Sequence, residues 1–234
     1  TWTNVTVSAA LANVTSTATG NFVGVLGAGS NSGVTWTNVT VSAALAKITS
    51  TATGNYVGVL GAGSNNGAVT WTNVTVSTAL ANVTSTAAGS AVGVIGAGSN
   101  SGVTWTSVTV SAALANVTST ATGNYVGILG AGSYGGSVSW TNVTVSAALA
   151  DVTSTATANY VGVLGAGSNN GAVTWTNVTV SAALANVTST ASDRVGVLGA
   201  GSNIGAVTWT SVTVSAALAN VTSTGGDQVG VLGA

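Results

Sequence analysis

The sequence predicts an all-β fold, a parallel β-helix of about seven coils of 34–35 residues with three short strands in each, and three observations predict it. Tryptophan recurs at Trp2, Trp36, Trp71, Trp105, Trp140, Trp175 and Trp209, at spacings of 34, 35, 34, 35, 35 and 34 residues. A fixed period of this length is the mark of a solenoid or tandem array. The unit is dominated by Val, Thr, Gly, Asn and Ser, which disfavour helix interiors, so the coil has to be built from strands. The whole chain contains no proline that would remove a ladder hydrogen bond. We therefore expect residues 1–234 to form one solenoid array, a window of a longer tandem-repeat protein without caps.

The second unit shows each element in order. Residues 34–41 (VTWTNVTV) carry alternating β-branched and aromatic side chains and form the expected first strand. An Ala-rich corner follows, then a short strand at residues 47–51 (KITST), a second corner, and a third strand at residues 55–60 (NYVGVL). The run GAGSNNG closes the coil with turn formers. Coils stacked at the usual strand separation of about 4.8 Å would build a rod on the order of 33 Å long.

Variation between units separates outside from inside, because an outward position changes character without disturbing a packed core. The residue before VGVLG and its variants is Phe22, Tyr56, Ala91, Tyr125, Tyr160, Arg194 or Gln228, which places it in solvent. The same holds for Asn13, Lys47, Asn82, Asn116, Asp151, Asn186 and Asn220. Alternation then puts Val39, Val41, Ile48, Val57 and Val59 inside. Carried back along an unbroken first strand, it also puts Thr35 and Thr37 inside and Trp36, Asn38 and Thr40 outside, an assignment that a bulge would reverse. On that parity the seven tryptophans form an exposed aromatic ladder beside an asparagine ladder.

The runs NYVGVLGAGSNNGAVTWTNVTV from Asn55 and ANVTSTATGNYVG from Ala115 resemble the GLUG-type repeats of bacterial surface and adhesin-like proteins. This chain departs from them in having VGVLGAG for the glycine-glycine-leucine core and a tryptophan in every copy. The resemblance spans every unit and implies an extracellular, right-handed β-helical stalk.

Composition removes several classes of function. Five charged side chains, Lys47, Asp151, Asp193, Arg194 and Asp227, supply no basic patch for nucleic acid. Polar residues interrupt every apolar run before it could span a membrane as a helix. With no histidine, glutamate or cysteine, and with its aspartates dispersed, the chain offers no acid-base pair, no activated nucleophile and no metal-ligand set. We expect no enzymatic activity and no cofactor.

One motif carries chemistry. The sequon N-x-T occurs at Asn4, Asn38, Asn73, Asn142 and Asn177 in the first strand, and at Asn13, Asn82, Asn116, Asn186 and Asn220 in the second. These are N-glycosylation acceptors on outward positions, or a ladder of side-chain amides bonded from coil to coil. The composition fits an extracellular stalk or self-assembling fibre of a cell surface or matrix, stacking end to end into filaments. Two alternatives stay open. One is an ice-binding solenoid, for which the TWT triplets would form a Thr-x-Thr lattice with tryptophan inside. The other is an adhesin that binds glycans on exposed Trp and Tyr ladders.

Overall fold

A computed structural model of the chain describes residues 1–17, 22–24, 28–30, 32–51, 56–58, 62–64, 66–85, 91–93, 97–99, 101–119, 125–127, 130–133, 135–154, 160–162, 165–168, 170–189, 194–202, 204–223 and 228–233. Among them are strands and no helix, and every strand pair is parallel. The pairing joins each residue to its equivalent one repeat away: Trp2 to Trp36, Trp36 to Trp71, and so on through Trp209. The fold is a parallel β-solenoid, as the period and composition predict. The described strands form two sheets, one of 11 strands carrying the tryptophan segments and one of 12 carrying the Val-Gly and Ala-Gly-Ser segments.

The strand boundaries within a coil differ from expectation. In the second unit they are Val34–Thr37, Thr40–Ser50, Tyr56–Gly58 and Ala62–Ser64. Residues 40–50 contain no glycine, asparagine or proline, so nothing forces the Ala-rich segment out of the ladder and it continues as strand. The expected corner survives only as a skipped pair, since the register passes from Leu45 to Lys47 without Ala46. In later coils the first two strands fuse, as in Val138–Ser154, Val173–Ser189 and Val207–Ser223.

The parity assignment for the first strand is overturned. Val39 and Val41 are buried as expected, but Trp36 is buried too, with 0% exposure, while Thr35 is exposed and Thr37 half-buried on the outer side. Asn38 is the cause. Its φ is +54°, and Asn4, Asn73, Asn142, Asn177, Ser107 and Ser211 at the equivalent position share that left-handed backbone within a degree. Asparagine tolerates this region better than a β-branched residue does.

The hydrogen bonds record the extra residue. In a regular strand, N–H groups two residues apart point to the same neighbour. Here Asn38 N–H donates to Thr72 O in the following coil, whereas Thr40 N–H donates to Val5 O in the preceding one. One residue has been inserted, the pairing lapsing at Asn38 and Val39 and resuming at Thr40, so Val34, Trp36, Val39, Val41 and Ala43 all face the core.

Burying tryptophan at every level is energetically favourable. Each ring removes about 150–250 Å² from water, worth roughly 4–6 kcal/mol at about 25 cal/mol per Å². The indole N–H of Trp36, Trp71, Trp105, Trp140, Trp175 and Trp209 is buried without an acceptor. That penalty is about 1–3 kcal/mol for each group, smaller than the gain from the ring.

Candidate functional site

The reversed parity leaves an outer face built almost entirely of hydroxyl and amide side chains. Thr3, Thr37, Thr72, Thr106, Thr141, Thr176 and Thr210 form one row in register. A second row runs through Thr35, Thr70, Thr104, Ser139, Thr174 and Thr208. A third runs through Thr6, Thr40, Thr75, Thr109, Thr144, Thr179 and Thr213, all exposed. Along the axis the repeat equals the ring spacing inside, 4.7–4.8 Å between most tryptophan pairs. Along the strand, hydroxyls two residues apart lie about 6.6 Å apart. The result is a two-dimensional, uncharged lattice of hydroxyls.

Between these rows runs the asparagine ladder. Asn38 Nδ2 donates to Asn4 Oδ1 at 2.9 Å, Asn73 Nδ2 to Asn38 Oδ1 at 3.0 Å, and Asn177 Nδ2 to Asn142 Oδ1 at 3.1 Å. Ser107 and Ser211 stand where the next amides would be, which leaves separate runs of three and two asparagines. Of the ten sequon asparagines, these five are on the outer face as expected, with their amides engaged between coils. The side chains of Asn13, Asn82, Asn116, Asn186 and Asn220 lie outside the described residues, although their backbones pair in register. So do the side chains of Ile48, Val57, Phe22 and the tyrosines of the Val-Gly strand, and so does Val59 altogether.

The seven tryptophans expected as an exposed ladder form an internal one. Successive rings are parallel within 1–4°, with centroids 4.7–5.2 Å apart. Trp36, Trp71, Trp105, Trp140 and Trp175 are fully buried, and Trp2 and Trp209 at the two ends are half-buried. Their faces cover one another, so this column offers no stacking platform to a sugar ring in solution. The aromatic-ladder basis for glycan binding is thereby removed for tryptophan.

A set of residues with no assigned role in the sequence reading holds the coils in register. Ser99, Ser133 and Ser168 are fully buried at the end of the Ala-Gly-Ser strand. Ser168 Oγ accepts from Gly171 N at 3.0 Å and donates to Gly136 O of the preceding coil at 2.8 Å. Ser99 and Ser202 make the same pair of bonds, to Gly102 N and Gly67 O and to Gly205 N and Gly171 O. One hydroxyl thus closes the turn and clasps the neighbouring coil. The signal was the recurring serine with glycine three residues on, a side-chain-closed turn. The glycine is also sterically required, since a Cβ on Gly171 would lie 2.4 Å from the backbone of Gly136.

An open groove of about 1110 Å³ runs along the rod between the Ser-Ala-Ala segments, lined by Ser42, Ala43, Ala44 and their equivalents. It presents small uncharged side chains throughout. Among the described residues no three His, Cys, Asp or Glu side chains group as a metal site. No described helix is long and apolar enough to cross a membrane. Compared with known families, curated proteins and solved structures, the chain matches none. Its functional reading rests on its own geometry.

Proposed function

We propose that this protein is an extracellular structural element, a β-solenoid stalk or fibre of a cell surface or matrix, whose repeats supply length and stiffness. The supporting observation is the register: every paired residue lies on its equivalent one repeat away, with tryptophan on tryptophan at every level and few changes of residue type elsewhere, so nearly the same interface repeats along the rod. An unpaired strand edge of such a ladder would template a further coil, and we expect end-to-end association into filaments. Glycosylation at the first-strand sequons would compete with the amide ladder, and sugars on adjacent coils would be only about 4.8 Å apart. Electron microscopy of the purified chain in dilute buffer tests the proposal. Filaments with an axial layer spacing near 4.8 Å support it, and discrete monodisperse short rods overturn it.

A second reading is favoured by one specific observation, the buried tryptophan with threonine outside. That is the arrangement an ice-binding solenoid needs, because a rigid array of hydroxyls at fixed spacing can order water in register with a crystal face. Ice-recrystallisation inhibition is the assay. Activity in the parent chain, lost in a Thr72→Lys, Thr106→Lys, Thr141→Lys variant with unchanged circular dichroism, supports this reading. An inactive parent chain removes it.

A further inference from the structure

The tryptophan column has two properties that together go beyond packing. The first is continuity: six successive ring pairs, parallel within 1–4°, with centroids 4.7–5.2 Å apart, link Trp2 to Trp209. The second is the state of the indole nitrogens. Nε1 of six of the seven rings is buried with no hydrogen-bond acceptor. Indole N–H is a donor only, and a donor without an acceptor has nowhere to send its proton.

We propose that the column relays oxidising equivalents along the rod, carrying a one-electron deficit from ring to ring between Trp209 and Trp2. Indole is among the most readily oxidised side chains, and contact between parallel rings permits electron transfer from each to the next. What normally stops such a relay is loss of the N–H proton, which turns a mobile radical cation into a trapped neutral radical. The buried, unpartnered Nε1 removes that trap at Trp36, Trp71, Trp105, Trp140, Trp175 and Trp209. The chain also has no cysteine or methionine sulfur to act as a competing sink.

A one-electron oxidant at the Trp209 end gains an electron, and the indole of Trp209 becomes a radical cation that keeps its proton. Trp175 passes an electron to Trp209, which is restored, and the deficit moves one level. Six such transfers bring it to Trp2, which is half-buried and whose nitrogen is not among the buried, unpartnered ones. There the Nε1–H bond breaks, the proton passes to water, and dioxygen adds to the resulting indole radical.

The absence of native cysteine makes the test direct. A ruthenium polypyridyl photo-oxidant is attached at Thr208→Cys, an exposed position next to Trp209, and oxidation of Trp2 is quantified by peptide mass spectrometry after flash-quench illumination in air. The expected result is at least tenfold more Trp2 oxidation in the labelled parent than in the same chain carrying Trp105→Phe. Equal oxidation in both overturns the proposal. Should Trp105→Phe lose the strand signal in circular dichroism, transient absorption of the labelled chain without that substitution decides instead. A protonated indole radical cation supports the relay, and a spectrum showing only the deprotonated neutral radical overturns it.

Discussion

Replacing Asn38 by glycine, alanine and valine in turn separates the two contributions of this residue, its left-handed backbone and its amide bonds. Asn38 has φ = +54° and takes part in two ladder bonds, donating to Asn4 and accepting from Asn73. Glycine adopts the same φ without steric cost, so Asn38→Gly loses only the two exposed hydrogen bonds. At about 0.5–1.5 kcal/mol each, the expected destabilisation is roughly 1–3 kcal/mol. Alanine loses the same bonds and adds a Cβ to a left-handed residue, a further cost of about 1–2 kcal/mol. Valine, stiffer at χ1, should cost at least as much as alanine. Urea unfolding followed by tryptophan fluorescence gives the series, compared through midpoints at a common slope. The expected order of stability is parent, then glycine, then alanine, with valine no better than alanine. If Asn38→Ala proves as stable as Asn38→Gly, position 38 does not hold a left-handed conformation. The inserted-residue account of why tryptophan faces inward then fails with it.

Three further outcomes follow from the same geometry. Ser107→Asn should join the two amide runs through new bonds to Asn73 and Asn142, raising stability by about 1–3 kcal/mol at ~0.5–1.5 kcal/mol per bond; no change in the urea midpoint would count against the ladder as a source of stability. Ser168→Ala strips the clasp, leaving Gly171 N and Gly136 O without that hydroxyl, and should cost about 1–3 kcal/mol in the same assay. Trp105→Ala opens a cavity between Trp71 and Trp140 and should cost about 3–5 kcal/mol, whereas Thr104→Ala on the outer face should fall within about 0.5 kcal/mol of the parent.

The solenoid was legible because period and composition are global properties that survive local errors. Seven tryptophans at 34–35-residue spacing, in a chain of strand and turn formers, permit few other ways to bury their faces. The orientation of Trp36 was not legible from alternation, which counts residues and assumes that each advances the strand equally. Asn38 advances the chain and turns it, and a single left-handed residue inverts the face of everything on its N-terminal side. The substitution pattern held a clue, since only asparagine and serine occupy that position while its neighbours are valine and threonine. The Ala-rich corner was misplaced for a related reason. Small residues permit a bend but do not impose one, so residues 40–50 stay in the ladder with only Ala46 skipped.

Because every pairing is parallel and in register, neighbouring coils are related by displacement along the axis with no change of direction. Each amide bond of the ladder runs the same way, from the later coil to the earlier one. The rod therefore has a sense, like an arrow, and its two faces are complementary instead of identical. The proposed contact through them would be head to tail, a mode that neither closes into a dimer nor exhausts itself with the first partner. Growth by this interface would be directional, with one end of the rod distinguishable from the other at any length.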